Sequence, residues 1–406
     1  MPRIDVILAG VIASGCTAPA PAPQWYGEIQ PIVLENCAGC HVDGGIAPFP
    51  LTSYAEVSII AQEVASSVED RTMPPWPAAA DCQAYDNDLS LTDAEIAAIT
   101  AWADAGAPEG DPALAVSNDE ESPSEELSRV DHTLGMTNPY LPTAQPDEFR
   151  CFVLDDVVEN TYVTGLHVIP GNEAMVHHVE AFLVPPSQVA TVEALDQQDD
   201  GEGYACMGTP VGDALIPLLG AWAPGGNTAD FPDNTGIWVQ TGSRIVLYMH
   251  YSTVTTPQPD QTVIELSTED SVLYPASFSM LTNFGWMLDP STMSILPGQT
   301  TTHEFVRNNS QPSVLHSVAL HMHTLGDSGT LQLLRPSGDE CLLDIPRWDF
   351  HWQRRYTFAD PIAVASGDQL KISCTWTNDT ENPVEWGERT NDEMCLGFVY
   401  ETDAYE

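Results

Sequence analysis

Two cysteines and a histidine stand close together near the start of the chain, as Cys37-Ala-Gly-Cys40-His41. A Cys-x-x-Cys-His run attaches c-type haem, because one helical turn presents two thiols to the porphyrin edge and an imidazole to the iron. A disulfide or half of a zinc site is the alternative, but no second Cys or His pair with zinc-site spacing lies nearby. Met73, further along in a proline-rich stretch, supplies a thioether. A Met/His pair is the ligand set of an electron-transfer cytochrome, so we predict one covalent haem with His41 and Met73 as iron ligands.

The residues around these ligands have a helical pattern. Thr92 and Asp93 provide a helix-capping signal, and an alanine-rich apolar run continues to Trp102. A stretch rich in Pro and Gly then ends the pattern at residues 107–112. The segment 24–114 therefore resembles a small, all-α class I cytochrome c domain.

The charge balance is strongly acidic, with 59 Asp and Glu residues against 12 Lys and Arg residues and a formal net charge of −47. Because binding to nucleic acid or to an anionic membrane surface needs a basic face, this balance excludes both classes. Solubility in saline surroundings explains the acidity, and attraction of metal ions or cationic substrates is the alternative. The hydrophobic fraction of 43% excludes wholesale disorder.

The first residues predict export and a lipid anchor. Residues 4–13 are an apolar run too short to span a bilayer, and small residues then lead to Cys16. This arrangement resembles a bacterial lipoprotein signal peptide over 1–16, with Cys16 as the lipidated residue; a plain N-terminal tail is the alternative. Residues 17–23 read as a Pro/Ala spacer. We therefore expect an extracytoplasmic protein. Its only attachment to a membrane, the outer membrane, would be this anchor, and the protein would face the periplasm or the cell surface.

The composition and the hydrophobic pattern of the sequence change after the helical segment. An acidic, serine-rich stretch at 118–126 predicts a linker over 115–146. Short strands then alternate with Gly, Pro and Asn turns to the end of the chain, which is typical of antiparallel sandwiches. The predicted architecture is multidomain, with an all-α domain followed by all-β domains.

Histidines cluster at the ends of the predicted strands. His177 and His178 begin one strand, His250 ends another, and His321 and His323 end a third. Side chains at positions i and i+2 share one face of a strand, so His321 and His323 can bind one metal. The adjacent His177 and His178 can do so only at a strand end or a bulge. A lone His is usually a satisfied core residue, but three such clusters indicate metal binding, and imidazole suits copper and zinc.

From about residue 147 to 400 the chain resembles the ascorbate-dependent type II copper monooxygenases, the group of peptidylglycine α-hydroxylating monooxygenase and dopamine β-monooxygenase. The matching motifs are the His177-His178 strand, Trp222-Ala-Pro-Gly, Tyr248-Met-His250-Tyr, His321-Met-His323-Thr-Leu-Gly, Gly367-Asp-Gln-Leu370, Cys374 and Thr390-Asn-Asp-Glu-Met394-Cys395. The resemblance implies two jelly-roll-like β-sandwich domains, 147–285 and 286–406, each carrying one copper ion.

The resemblance also implies roles for these residues. His177, His178 and His250 would hold the electron-transfer copper, and His321, His323 and Met394 would hold the copper at which oxygen is bound and the C–H bond is cleaved. A soft thioether beside two imidazoles favours reduced copper and leaves a position open. Core packing is the alternative role for Met394.

The cysteines and the pocket residues follow from the same resemblance. It implies the disulfides Cys151–Cys206 and Cys374–Cys395, whereas Cys82 and Cys341 could pair or stay free. The peptide-hydroxylating relatives bind the substrate carboxylate through an Arg, an Asn and a Tyr. The corresponding positions are here Ala319, Leu396 and Phe398, which favours a neutral or hydrophobic substrate. His351 could line this cleft, and four histidines without a partner motif are interpreted as structural: His132, His167, His303 and His316.

These observations predict a copper-dependent monooxygenase that hydroxylates a C–H bond of a small organic substrate with O2. The fused haem would deliver electrons to the two coppers from an external donor, a redox protein or an ascorbate-like reductant. The alternative is a lipid-anchored haem and copper protein that transfers electrons or binds copper without hydroxylase activity. A zinc hydrolase is excluded, since no Glu accompanies a His pair as in metalloproteases and a thioether is a poor zinc ligand.

Overall fold

The computed structural model describes residues 21–42, 47–86, 88–116, 127–155, 157–212, 214–223, 230–252 and 257–404. The predicted anchor at Cys16, most of the spacer, the acidic stretch and residues 224–225 of the Trp222 motif lie outside these ranges. The chain divides into a first unit, Met1–Pro74 with Leu91–Ser122, and a second unit, Pro75–Ser90 with Pro123–Glu406. Within the described ranges, no helix is long and apolar enough to cross a membrane.

The first unit is helical, and its described residues contain no strand. Its elements are a π-type turn (Trp25–Ile29), α1 (Gln30–Asn36), α2 (Tyr54–Val57), a 3₁₀ turn (Ser58–Ile60), α3 (Ala61–Glu69), α4 (Asp93–Asp104) and a 3₁₀ turn (Pro112–Leu114). Capping boxes begin α2 and α4, where the side chains of Ser53 and Thr92 accept backbone N–H groups. Trp25 and Trp102 form the centre of a small hydrophobic core, with ring centroids 5.8 Å apart.

The second unit is mostly β-structure. Its strands are β1 (His132–Gly135), β2 (Asp147–Val153), β3 (Thr161–Ile169), β4 (Val176–Val184), β5 (Tyr204–Ala205), β6 (Leu218–Trp222), β7 (Thr235–Val239), β8 (Arg244–Ser252), β9 (Val263–Glu269), β10 (Tyr274–Leu281), β11 (Thr300–Asn308), β12 (Ser313–His321), β13 (Gly326–Leu334), β14 (Glu340–Ile345), β15 (Arg355–Val364), β16 (Gln369–Thr377) and β17 (Leu396–Asp403). The helical elements are α5 (Pro186–Gln198), α6 (Phe284–Leu288) and a 3₁₀ turn (Pro290–Met293).

The strands form three sheets in a sandwich-like arrangement. Their orders are β1-β9-β3-β7-β10-β17-β12-β15, β11-β16-β13-β14 and β5-β2-β8-β4-β6. The eight-stranded sheet continues through both predicted copper domains, because β10 pairs with β7 and with β17. Strand β1 lies inside the predicted linker 115–146 and pairs with β9. The exact domain boundaries stay predictions.

Burial follows the position of each strand in its sheet. Strand β8 is central in the five-stranded sheet and is buried along almost its whole length. Strand β11 is an edge strand and shows the alternating exposure of a strand with one covered face. The described residues of the second unit form three hydrophobic clusters. One lies beneath β3, β4 and β8, one beneath β12, β13 and β16, and a smaller one around Cys151, Val192 and Tyr248. They hold the ends of β4, β8 and β12, which carry the candidate metal ligands.

The segment Pro75–Ser90 packs on the C-terminal part of the second unit. Cys82 forms a disulfide with Cys341 of β14, which the sequence left open. The Tyr85 hydroxyl donates to the carbonyl of Leu342 at 2.9 Å, and its ring lies 5.3 Å from that of Tyr356. This covalent and aromatic contact joins the segment to β14 and β15.

Candidate metal centres

Three histidines converge at the ends of β4 and β8. His178 is the cross-strand partner of His250, and the register shifts between Val176 and His178. This bulge is the irregularity that two adjacent histidines need in order to face one point. The Nδ1 atom of His178 lies 3.3 Å from Nδ1 of His177 and 3.4 Å from Nδ1 of His250. We call these three residues the triad site.

The chemistry of the triad site fits a copper ion. Burial lowers the pKa of His177 to about 3 and that of His178 well below its usual value, so these imidazoles are neutral. The triad is a group of potential ligand atoms that all lie within 4.8 Å of one another. Neutral imidazole nitrogens at such spacing are good donors for copper, and one bound copper ion would join the three rings.

A carboxylate orients one ring of the triad site. His250 Nε2 donates to Asp147 Oδ1 at 2.9 Å, which leaves its Nδ1 free to face the other histidines. The Thr390 hydroxyl donates to the same oxygen at 2.7 Å. Metal-binding histidines commonly donate their second N–H to a carboxylate in this way. Asp147 was not identified from the sequence, because nothing distinguishes it among the chain's 59 acidic residues.

We expect Asp147→Asn to weaken copper binding at the triad site by about 10–100-fold, because the amide is a poorer acceptor for the His250 N–H. A competition titration with a copper chelator measures this change. Asp131→Asn is the matched control, since Asp131 bonds Arg129 and the backbone of Thr268 and contacts no triad residue. Equal copper affinity of the Asp147 variant and the control would show that the carboxylate does not orient the ligand.

A second cluster lies at the end of β12. The rings of His321 and His323 are 5.0 Å apart. His321 Nδ1 donates to Gln353 Oε1 at 2.5 Å, and His323 Nδ1 donates to the carbonyl of Asp392 at 2.9 Å. Burial lowers the pKa of His321 to about 4 and that of His323 well below its usual value. Both rings are therefore neutral and keep Nε2 for a ligand.

Met394 lies just before β17, whose first residue, Leu396, pairs with His321. Its side chain is buried. The neighbouring Cys395 forms a disulfide with Cys374 of β16, which fixes this segment against the sheet. Two imidazoles and a thioether are a donor set that suits copper. We call His321, His323 and Met394 the Met394 site.

The Glu393 side chain connects the parts of the Met394 site. It is fully buried, and its oxygens accept the backbone N–H groups of His323 and Leu325 at 2.9 and 2.7 Å and the Trp376 indole N–H at 2.7 Å. These bonds hold the segment before Met394 against the end of β12. The sequence showed Glu393 only as one letter of a matching motif, with no role.

The two sites are close together in this structure. The ring centroids of His178 and His321 are 6.4 Å apart. The Phe350 ring stacks on His177 at 4.7 Å and lies 6.0 Å from His323. The His351 side chain is 82% exposed and contacts Asp349. That His351 lines the cleft stays a prediction.

The candidate haem residues lie in the first unit. Cys37 and Cys40 belong to none of the three disulfides. Burial, and to a smaller extent the nearby Cys40 thiol, raises the pKa of Cys37 to about 12. His41 Nδ1 donates to the carbonyl of Phe49 at 3.0 Å, so Nε2 remains for a ligand. Met73 is half-buried. Two thiols, an oriented imidazole and a thioether fit a c-type haem by donor type.

The remaining predicted residues have structural contacts. Cys151 and Cys206 form a disulfide, the second of the two pairs that the resemblance implies. His167 bonds Glu265, and His316 is buried and bonds Thr402. His303 lies against Trp376, and His132 pairs in β1 with Leu266. None of these four histidines belongs to either metal site as the structure describes it.

Known proteins match the part of the chain that carries these sites. Residues 287–404 match the family model of the copper type II ascorbate-dependent monooxygenases, C-terminal domain. Mouse DBH-like monooxygenase protein 2 is 26% identical over 262 residues, which cover 57% of this chain and 39% of that protein. Human dopamine beta-hydroxylase is 27% identical over 256 residues, with the same two coverages. These matches show that this part of the chain is similar to copper monooxygenases. The chain spans about two fifths of the length of these relatives.

A similarity among solved structures is much weaker. PNGF-II covers 67% of this chain, which in turn covers 65% of PNGF-II, with 10% sequence identity and a TM-score of 0.27. A TM-score this low carries no conclusion about fold or function. The similarity to the copper monooxygenases therefore rests on the sequence matches.

Proposed function

We propose that this protein is a copper-dependent monooxygenase that hydroxylates a C–H bond of a small organic substrate with O2. The observation that carries this proposal is the presence, in one β unit, of two different donor sets beside each other. One set has three imidazoles and the other has two imidazoles and a thioether. The family match over residues 287–404 includes all ligands of the Met394 site.

The two sites would have different roles, electron transfer at the triad site and O2 chemistry at the Met394 site. Copper, when bound, supplies one-electron transfer and the activation of O2. The imidazoles of the triad site hold a metal in either charge state with little rearrangement, because the bulge and Asp147 fix the rings. At the Met394 site, Glu393 accepts the backbone N–H groups of both His323 and Met394, and the Cys374–Cys395 disulfide fixes the segment that carries Met394. The Met394 thioether would complete the donor set of the His-x-His pair. The Phe350 ring lies against His177 and near His323, so it provides apolar surface beside both sites.

The pocket residues on the Met394 side favour an apolar substrate. Ala319 and Phe398 pair across β12 and β17, and Leu396 pairs with His321. Their side chains provide hydrocarbon surface next to the ligand pair. We propose that the substrate presents an apolar part here, where its C–H bond can approach the Met394 site.

We further propose that the first unit supplies electrons. Cys37 and Cys40 would hold haem through thioether bonds, with His41 and Met73 as iron ligands, and the haem would provide one-electron storage. An external redox protein or ascorbate-like reductant would be the primary donor. A lipid on Cys16 would attach the chain to the outer membrane from the periplasmic or surface side. The presence of both kinds of site in one chain supports this arrangement.

Oxidation of reduced haem by the copper sites tests this electron supply. We expect the reduced haem of the copper-loaded chain to be oxidised faster with O2 and substrate than without them, followed by its absorbance in a stopped-flow instrument. The zinc-loaded chain is the control, because Zn²⁺ has no redox chemistry. If haem oxidation is equally fast in the zinc-loaded chain, the haem does not supply the copper sites.

A further inference from the structure

One short stretch of the chain, residues 390–394, contacts the orienting groups of both metal sites, and we call it the shared segment. At its start, the Thr390 hydroxyl donates to Asp147 Oδ1 at 2.7 Å. The same oxygen accepts the Nε2–H of His250, a ligand of the triad site, at 2.9 Å. At its end, the shared segment carries Met394. A group that orients one site and a ligand of the other therefore belong to one continuous stretch of backbone.

The shared segment also orients an imidazole of the Met394 site. The carbonyl of Asp392 accepts the Nδ1–H of His323 at 2.9 Å. The Glu393 carboxylate accepts the backbone N–H of His323 at 2.9 Å. A continuous path of hydrogen bonds and covalent bonds thus runs from the His250 ring, through Asp147 and the shared segment, to the His323 ring.

The bond at the triad end of this path lies in an enclosed place. The side chains of His250 and Asp147 are only 2% and 7% exposed. A buried carboxylate that loses a donor is left with an unsatisfied acceptor, which costs more free energy than the loss of the same bond at the surface. The position of Thr390 therefore depends on the position of the His250–Asp147 pair, and the pair depends on Thr390 in turn.

Metal binding at either site favours the same position of the shared segment. A metal at the triad site fixes the His250 ring and thereby the Asp147 carboxylate, which keeps the Thr390 hydroxyl bound. A metal held by His323 and Met394 fixes the segment from its other end. Each ion therefore binds to a segment that the other ion has already ordered, and its binding loses less conformational entropy.

We propose that Thr390 is a positioning residue that couples the two metal sites, so that copper at either site strengthens the binding of copper at the other. This coupling rests on the proposed function, because it takes both donor sets as copper sites. The strengthening factor must be the same in both directions, since binding free energies are linked. Cooperative loading disfavours chains with a single ion, in which O2 would react without a second copper to supply an electron.

Copper affinities of the two-site chain and of single-site variants measure the coupling. The probe is Cu⁺, buffered by a chelator without oxygen, and Cys37 and Cys40 are alkylated in chains that lack haem. His178→Ala and Met394→Leu each remove one site and give the binding constant of the other. The constant for loading both ions into the unmodified chain, divided by the product of these two constants, is the coupling factor. We expect a factor of about 5–150, the usual range of coupling between two sites.

Substitutions of Thr390 assign the coupling to its hydroxyl, and each is combined with the two single-site variants. We expect Thr390→Val to lower the coupling factor to about 1, because valine has nearly the same shape and no donor, and Thr390→Ser to retain most of it. Thr137→Val is the matched control. The Thr137 hydroxyl also donates to a carboxylate, that of Asp155 at 2.6 Å, and neither residue is a ligand of the two sites. This variant should keep the full coupling factor.

A structural role of Thr390 alone would change the single-site constants and leave the coupling factor as it is. Two copper ions bound to Thr390→Val show that the variant is folded. A coupling factor of about 1 in the unmodified chain, or an undiminished factor in Thr390→Val, would overturn the coupling and leave the proposed function intact. Binding of fewer than two copper ions by the unmodified chain would overturn both.

Discussion

Replacing Met394 with Leu is expected to lower the rate of hydroxylation by more than about 100-fold. Replacing a group that only orients a metal ligand usually costs about 10–100-fold in metal affinity or activity, so the loss of a ligand should cost more. Leu has nearly the volume of Met, so the core should stay packed while the sulfur is lost. Without the thioether the site loses the soft donor that favours reduced copper. The rate of substrate-dependent O2 uptake measures the loss of activity. X-ray absorption of the reduced, copper-loaded protein measures the loss of copper–sulfur scattering without requiring a known substrate.

The matched control is Met293→Leu. Met293 is fully buried in the same hydrophobic core but is not part of the Met394 site. This variant should keep both activity and copper–sulfur scattering. If Met394→Leu retained turnover and the sulfur signal, Met394 would be a core residue and its assignment as a ligand would be wrong.

The second large effect is expected for His178→Ala. His178 lies between the other two members of the triad site, with an Nδ1–Nδ1 distance of 3.3 Å to His177 and 3.4 Å to His250. Its removal should lower the copper content from two ions per chain to one and abolish multiple turnover, because the copper proposed to transfer electrons to the Met394 site would be lost. Copper analysis by mass spectrometry and a steady-state O2 assay measure the two effects.

His167→Ala provides the comparison for that variant. His167 lies in β3 and bonds Glu265, away from the triad site. The His167→Ala variant should bind two copper ions per chain and turn over at the normal rate. A His178→Ala protein that still bound two copper ions would mean that the three histidines are structural, despite their convergence.

The metal ligands could be predicted from the sequence because their signal is local. Strand parity places His321 and His323 on one face, and it requires an irregularity for His177 and His178, which the structure contains at that point. The groups that orient them could not be predicted. Asp147 precedes His250 by more than one hundred residues, and their contact arises only because β2 and β8 are neighbours.

Long-range pairing limited the other expectations in the same way. Composition and period predicted many short strands, but not that β10 joins β7 to β17 in one sheet. The Cys82–Cys341 disulfide bridges a sequence separation of 259 residues, and connectivity is not encoded in cysteine spacing.

The most direct test of the central claim is the fate of labelled oxygen. The copper- and haem-loaded chain is incubated with ¹⁸O₂, a reductant and a library of lipids and small molecules, and products are analysed by mass spectrometry. A monooxygenase with the two sites described above should place one ¹⁸O atom in a hydroxylated product, and Met394→Leu should abolish that product. Consumption of ¹⁸O₂ with the label only in water or peroxide, in the presence of two bound copper ions, would contradict the account and identify an electron-transfer or copper-binding protein instead.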